Sequence, residues 1–289
     1  MTKSKGIDDR TALNEAASMM KSQKNGEEAV LMVGVLEKSR FLSGRDYFER
    51  EGRMFPKEEE QCDPTECPLV VHNNWIIGNA AKVYRMREHL MWLYDRDRYY
   101  SSPTRKYLTL DNPTPRYRAS GNVTRNELLA LRTALIIGHL VNRVVILPIF
   151  HCTSVHVQCP LNSIIHVKTF ESVCAGLYRE SSFLRHPKVP DSVKLGLVQH
   201  TLRKPGDKSS AVHVTAGELI LLFGKHSARV LHLGDLQHVF VELHANQLRS
   251  RFIRDLGSAF RGSDYRQLGA LEYIISGNRK KVGTRYILV

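Results

Sequence analysis

Apolar positions along the chain fall into short bursts whose period switches between helical and extended spacing. Ala12, Leu13, Ala16 and Met19/Met20 recur at helical spacing and predict a short helix over residues 8–22. Residues 29–36 (AVLMVGVL) predict a buried strand, and Pro68–Val71 a short apolar one. Residues 49–66 are polar, acidic and turn-rich, as a loop should be. A helix is expected from about Ala80 to Leu93, with Val83, Met86, Leu90 and Leu93 on one face.

Residues 95–122 carry DRDRYYSSPTRKY and DNPTPRYR, and this Pro-, Ser- and Arg-rich stretch is the best place for a linker. The expected division is therefore residues 1–100, a linker over 101–122, and residues 123–289. After the linker, Thr124 to Glu127 form a capping-box pattern ahead of a strong helix through Leu140. The strand Val144–Leu147 follows and Pro148 stops it. Further strands are expected at Ile164–Val167, Arg229–Leu233, Val239–Leu243 and Tyr286–Val289. Further helices are expected near Thr169–Leu177, Ala216–Phe223, Gln247–Phe260 and Tyr265–Ile275. The alternation predicts an α/β fold with a largely parallel sheet and no internal repeat.

Composition fits a globular chain, with 42% hydrophobic and 25% charged residues. No apolar run is long enough to span a bilayer, and the N-terminal MTKSKGIDDR has no apolar signal region. The chain is expected to be cytoplasmic if complete, or to begin inside a longer protein. Charge changes the picture more. Residues 1–100 hold 16 Lys+Arg against 17 Asp+Glu, whereas the remainder holds 26 against 12. A basic second half suggests an anionic partner such as an acidic glycan or a nucleotide sugar. No helix-turn-helix, zinc-finger or RNA-binding aromatic signature accompanies it, so nucleic acid is not the expected partner.

The five cysteines include Cys62 and Cys67, which bracket a Pro-containing turn and could close a small loop disulfide. His151, Cys152, His156 and Cys159 invite a zinc reading, but their spacing fits no common site. A disulfide-tied loop or free thiols fit as well. Asn122-Val123-Thr124 is a glycosylation sequon, meaningful only in the secretory pathway.

The chemistry concentrates at VVHNNWIIGNAAK, residues 70–82. A strand runs into three polar side chains, a turn with Gly78 follows, and a helix begins near Asn79. Ligands of open α/β sheets sit beyond the carboxyl ends of strands. Free N–H groups at a helix start favour phosphate, and Asn79 could cap them without a ligand. Lys82, one turn in, can bring a positive charge to the same place, and His72 can ligate a divalent metal. A buried histidine beside an ordinary turn, with a solvated lysine, would explain the same letters.

The stretch VVHNNWIIGNAAKVYRMREHLMWLYD resembles the end of the nucleotide-diphospho-sugar transferase family, which includes retaining plant arabinosyl- and xylosyltransferases. Asp8–Asn14 (DDRTALN) and Phe41–Phe48 (FLSGRDYF) are similar to upstream patches of that family, in its order. The resemblance implies a partial GT-A (Rossmann-like) domain in residues 1–100 and a nucleotide-sugar donor with Mn²⁺ bridging its diphosphate. By similarity His72 matches the metal-ligand histidine, and Gly78 and Lys82 match the phosphate-contacting pair. Asn73 and Asn74 join them at the diphosphate, and Asp8 and Asp9 fall where cleft residues lie. The family's Asp-x-Asp pair would precede residue 8. Asp95-Arg96-Asp97 has its letters but follows a helix and reads as a solvated helix end.

Asn126–Pro148, with its NRVVILP ending, is similar to the opening of fucosyltransferase-like Rossmann-type domains. That likeness implies a second Rossmann-like α/β domain over 123–289, with Asn126 and Arg132 near its cleft. An ordinary amphipathic helix and buried strand would read the same way. The expected function is a metal-dependent, anomer-retaining glycosyltransferase acting on a glycan or glycoprotein acceptor. It is expected in the Golgi lumen, within a longer type II membrane protein whose N-terminal anchor supplies the membrane contact. A non-catalytic glycan- or polyanion-binding protein is the alternative.

Overall fold

The computed structural model describes residues 14–15, 18, 36–50, 67–74, 76–111, 123–151, 158–203, 211–234, 236–244, 247, 250–260, 281–282 and 285–287. Asn14, Glu15 and Ser18 of the expected helix at 8–22 are helical; the rest of that helix, most of the strand at 29–36, Asp8, Asp9, Cys62, Cys152, His156, the sequon asparagine and the helix at 265–275 lie outside the described residues.

The chain divides into two compact units, one of Met1–Leu42 with Cys62–Val70 and one of Ser43–Gln61 with Val71–Val289. In the first, the N–H groups of Leu69 and Val70 both donate to the Arg40 carbonyl, at 2.7 and 3.1 Å. Cys67 is disulfide-bonded.

The second unit is built on a five-stranded sheet. Its strands are β3 (Tyr107–Leu110), β4 (Val144–Ile146), β5 (Tyr178–Arg179), β6 (Leu197–His200) and β8 (Val230–Leu233). Two earlier strands, β1 (Phe41–Ser43) and β2 (Val70–His72), precede them, and β7 (Val212–Thr215) lies between β6 and β8 in sequence. The spatial order is β5-β4-β3-β8-β6, and every neighbouring pair is parallel. Such a sheet needs cover on both faces, and the period-2 alternation supplies it. Leu108, Val145 and Leu231 enter one large core, while Tyr107, Ile146 and Val230 enter a smaller one with Tyr100 and Phe183. The fold is thus mixed α/β with a parallel main sheet, as the alternation of the sequence implies, and is consistent with the Rossmann-like form that the resemblance implied.

Helix α1 (Asn79–Glu88) precedes the sheet, α2 (Val123–Leu140) links β3 to β4, and α3 (Val167–Cys174) links β4 to β5. A second sheet has the order β10-β11-β9-β7, where β9 is Val239–Leu243, β10 is Lys281–Val282 and β11 is Arg285–Ile287. Within it β7 and β9 are parallel, and β9 and β11 antiparallel.

Several elements differ from expectation. Tyr107–Leu110, inside the stretch read as a linker, is the central strand of the main sheet; its prolines and arginines lie on either side of four apolar-enough residues. Tyr84 of α1 packs in the same core as Leu128 and Val145. Ile164–Val167 is not a strand, because Leu161–Ile164 and α3 are both helical around two linking residues. Helix α1 ends at Glu88 rather than Leu93; Leu90 takes φ 60°, which an α-helix cannot continue.

The amino ends of β3 and β8 are tied by one side chain. Arg143 donates through Nη1 to the carbonyls of Tyr107 (3.2 Å) and Ala228 (2.9 Å), and through Nη2 to that of His226 (2.9 Å). Lys106 Nζ donates to the same His226 carbonyl at 2.7 Å. Among the described residues no helix is long and apolar enough to cross a membrane.

Candidate functional site

The block from His72 to Lys82 is organised by its glycine and its asparagines. Gly78 is the N-cap of α1, with φ 87° and ψ 142°. A Cβ there would meet nothing within 4 Å. Glycine is therefore required by the backbone angle and not by crowding. Asn79 is the first helical residue, not the cap: no side chain caps this helix and its first turn holds no acid. The Lys82 N–H donates to the Gly78 carbonyl at 3.1 Å, which leaves the N–H groups before it directed out of the helix start. Arg85 and Arg87 occupy the last turn, where they complement the dipole.

The two asparagines hold this shape. Asn73 Nδ2 donates to the Lys82 carbonyl at 3.4 Å, and Asn74 Oδ1 accepts from the Gly44 N–H at 3.2 Å. A Cβ on Gly44 would lie 3.1 Å from both Asn73 Cα and the His72 carbonyl oxygen, so the two segments touch through glycine. The Asn73 Oδ1 atom is buried without a partner. His72 is exposed and Lys82 half-buried, and neither side chain has a hydrogen bond or ion pair within the described residues. Among those residues no three His, Cys, Asp or Glu side chains group to hold a metal. A single histidine offers at most one ligand, so the described residues do not complete a metal site.

The far end of α1 is anchored by a buried polar network. Tyr84 OH donates to Glu88 Oε1 at 2.8 Å, Ser181 Oγ donates to the same oxygen at 3.0 Å, and Arg85 Nη1 meets Oε2 at 2.5 Å. Burial raises the Glu88 pKa and Arg85 opposes that rise. Arg87 grips Asp95 through Nε (2.8 Å) and Nη2 (2.6 Å). Asp95 is thus a paired, largely buried carboxylate and not the solvated helix end that the sequence suggests. Asp97 does face solvent, in an ion pair with Lys188 at 2.9 Å.

A second constellation escapes sequence reasoning. In the order β5-β4-β3-β8-β6 the central neighbours β3 and β8 come from distant parts of the sequence, and ligands of open α/β sheets bind beyond the carboxyl ends of the strands. There Thr109 lies opposite His232 in the parallel register. Thr109 Oγ1 is 2.9 Å from His232 Nδ1, and His232 Nε2 is 3.0 Å from Asp111 Oδ1. A Cβ on Gly234 would lie 3.1 Å from Asp111 Oδ2. An imidazole held by a hydroxyl on one nitrogen and a carboxylate on the other is oriented for proton transfer. The available signal was two apolar strands ending alike, YLTLD and VLHLG.

Helix α2 brings Asn126, half-buried, and Arg132, 7% exposed. Among the described residues, Arg132 Nε and Nη1 are buried with no hydrogen-bond partner. Burial alone pushes its pKa down to about 10. A guanidinium left unpaired in a core is costly unless a ligand completes it.

No family model matches the chain, and no solved structure matches it. The chain is similar to arabinosyltransferase XEG113 of Arabidopsis thaliana, with 24% identity over 273 residues covering 78% of this chain. The chain corresponds to 41% of that protein, less than half its length.

Proposed function

We propose that this protein takes part in transferring a sugar from a nucleotide-diphosphate donor to a glycan or glycoprotein acceptor, with retention at the anomeric carbon. The observation that carries the reading is the uncapped start of α1. Gly78 holds it open, no acidic residue occupies it, and Lys82 stands one turn in. In the proposal these N–H groups and the Lys82 ammonium bind the donor diphosphate. They offset the charge that develops as the bond from the sugar to the diphosphate oxygen breaks. Asn73 and Asn74 fix the loop against the helix. His72 would contribute one ligand to a Mn²⁺ ion carried with the diphosphate, which would neutralise phosphate charge. Asp8 and Asp9 are proposed cleft residues. The compartment proposed is the Golgi lumen.

The test is calorimetric titration of the full chain with a nucleoside diphosphate, with and without Mn²⁺. Lys82→Ala should weaken binding by about tenfold or more in both conditions, from loss of a charged hydrogen bond. His72→Ala should weaken only the Mn²⁺-dependent part. Equal affinity in all three proteins would sink the assignment.

A further inference from the structure

Four arginines and one committed carboxylate border a further, open space. A cavity of about 210 Å³ is lined by Asp95, Arg96, Arg98, Tyr99, Arg105 and Arg179. We propose that it binds one tetrahedral oxyanion, the phosphate or sulfate group of an ester or the free ion. Neither the diphosphate site at Gly78 nor the crevice at His232 contributes to its lining, so the proposal does not rest on either.

The charge balance comes first. Both oxygens of Asp95 accept from Arg87, and Tyr100 OH donates to Oδ2 at 3.2 Å. Arg87 does not line the cavity, so it cancels the cavity's acid from outside. Tyr99 donates its hydroxyl to Glu180 at 2.8 Å, and burial first, then Glu180, raises its pKa. It contributes no negative charge. Among the described residues no ion pair engages Arg96, Arg98 or Arg105, whereas Arg179 interacts electrostatically with the buried Glu180. With Asp95 neutralised by Arg87 and Arg179 balanced in part by Glu180, the cavity faces an excess of positive charge from Arg96, Arg98 and Arg105.

Geometry makes that charge a binding element. Arg179, at the end of β5, is 3% exposed. Its guanidinium carbon lies 3.9 Å from the centre of the Tyr99 ring, and Nη1 donates to the Tyr178 carbonyl at 2.6 Å. Its Nε is buried with no partner. Arg105 is fixed from the opposite chain segment, with Nη1 donating to the Arg98 carbonyl at 3.2 Å and more weakly to that of Tyr99 at 3.5 Å. Two arginines are thus held in place while keeping free N–H groups, and Arg96 and Arg98 stand exposed at the mouth. Guanidinium forks match the oxygens of phosphate and sulfate. Size narrows the ligand class: sites that enclose a whole organic ligand run to roughly 300–1,000 Å³. The cavity has room for one compact group and is too small to bury a whole nucleotide sugar.

The experiment titrates the full chain with inorganic phosphate, and separately with inorganic sulfate, at constant ionic strength without divalent metal. Saturable one-to-one binding of either ion is expected. Arg98→Ala and Arg105→Ala should each weaken it at least about tenfold, since each removes a charge-assisted hydrogen bond, and Lys82→Ala should change it less than about twofold. Preference for phosphate or for sulfate identifies which ester the site serves. Absence of saturable binding for both ions, undiminished binding in the Arg98→Ala/Arg105→Ala double variant, or a loss in Lys82→Ala matching that of the double variant would each overturn the proposal. Should Arg105→Ala lower the melting temperature, Arg96→Ala and Arg98→Ala, both at exposed positions, carry the same comparison.

Discussion

His232 and Asp111 meet at 3.0 Å at the junction of β3 and β8, although 121 residues separate them in sequence. The imidazole is mostly covered while the carboxylate is 58% exposed, so the pair presents its acidic side to incoming ligand. If this crevice takes part in sugar transfer, His232→Ala should lower kcat/KM by about a hundredfold, the lower end of what a positioned proton carrier contributes. Asp111→Asn should lower it by less. Product formation, followed with the melting temperature as a control on folding, checks both.

Gly78 gives a backbone test. Alanine at φ 87° pays for a left-handed conformation but meets no atoms, so Gly78→Ala should lose ~1–2 kcal/mol of stability. Gly44→Ala differs: its methyl would press on the His72 and Asn73 backbone at 3.1 Å, and overpacking of this kind costs about 1–3 kcal/mol. Urea unfolding of both variants measures the two costs. Restoring Gly44→Ala by Asn74→Ala, which removes one bond across the contact, should fail, because the clash is with main chain.

Tyr84 tests whether α1 belongs to the sheet's core. Its ring is 1% exposed within the large cluster, and truncation of a buried aromatic costs about 3–5 kcal/mol. Tyr84→Ala should therefore destabilise the unfolding transition of the whole second unit. A transition of unchanged midpoint would show α1 to be peripheral.

The network around Glu88 predicts a pH dependence. Burial raises the folded-state pKa of this carboxyl above its ordinary 4.5, so the folded protein holds the proton more tightly than the unfolded chain. Its contribution is most favourable below pH 4.5 and declines as pH rises from there through the raised folded value. Glu180 shifts in the same direction, also through burial. Glu88→Gln should flatten part of the fall in melting temperature above that pH, and Arg85→Met should steepen it by leaving the carboxylate without its cation. Melting curves from pH 4 to pH 8 read the slopes.

Periodicity sufficed wherever an element was long or bounded by clear stops. Strand β9 lies at Val239–Leu243 as its VFVEL pattern implies, and α2 runs to Leu140 ahead of β4. The central strand β3 was hidden by its neighbours, because SSPTRK and DNPTPRYR outweigh four residues. Strand β5 has only two residues, too few for any period. The turn at Gly78 was legible because strand, glycine and helix follow one another directly. The Thr109–His232–Asp111 contact was not, since it depends on β3 pairing with β8. Likewise, Asp95 reads as solvated until Arg87, eight residues earlier, is seen folded back onto it.

Arg143 gathers three carbonyls, from Tyr107, His226 and Ala228, onto one guanidinium at the amino rim of β3 and β8. A slip of either strand by one residue would break that gathering and turn His232 to the opposite face of the sheet. The side chain that fixes which groups confront one another at the ligand rim therefore sits at the other rim. Wear at Arg143, by substitution or by competing solvent, would surface first as lost alignment between Thr109 and His232.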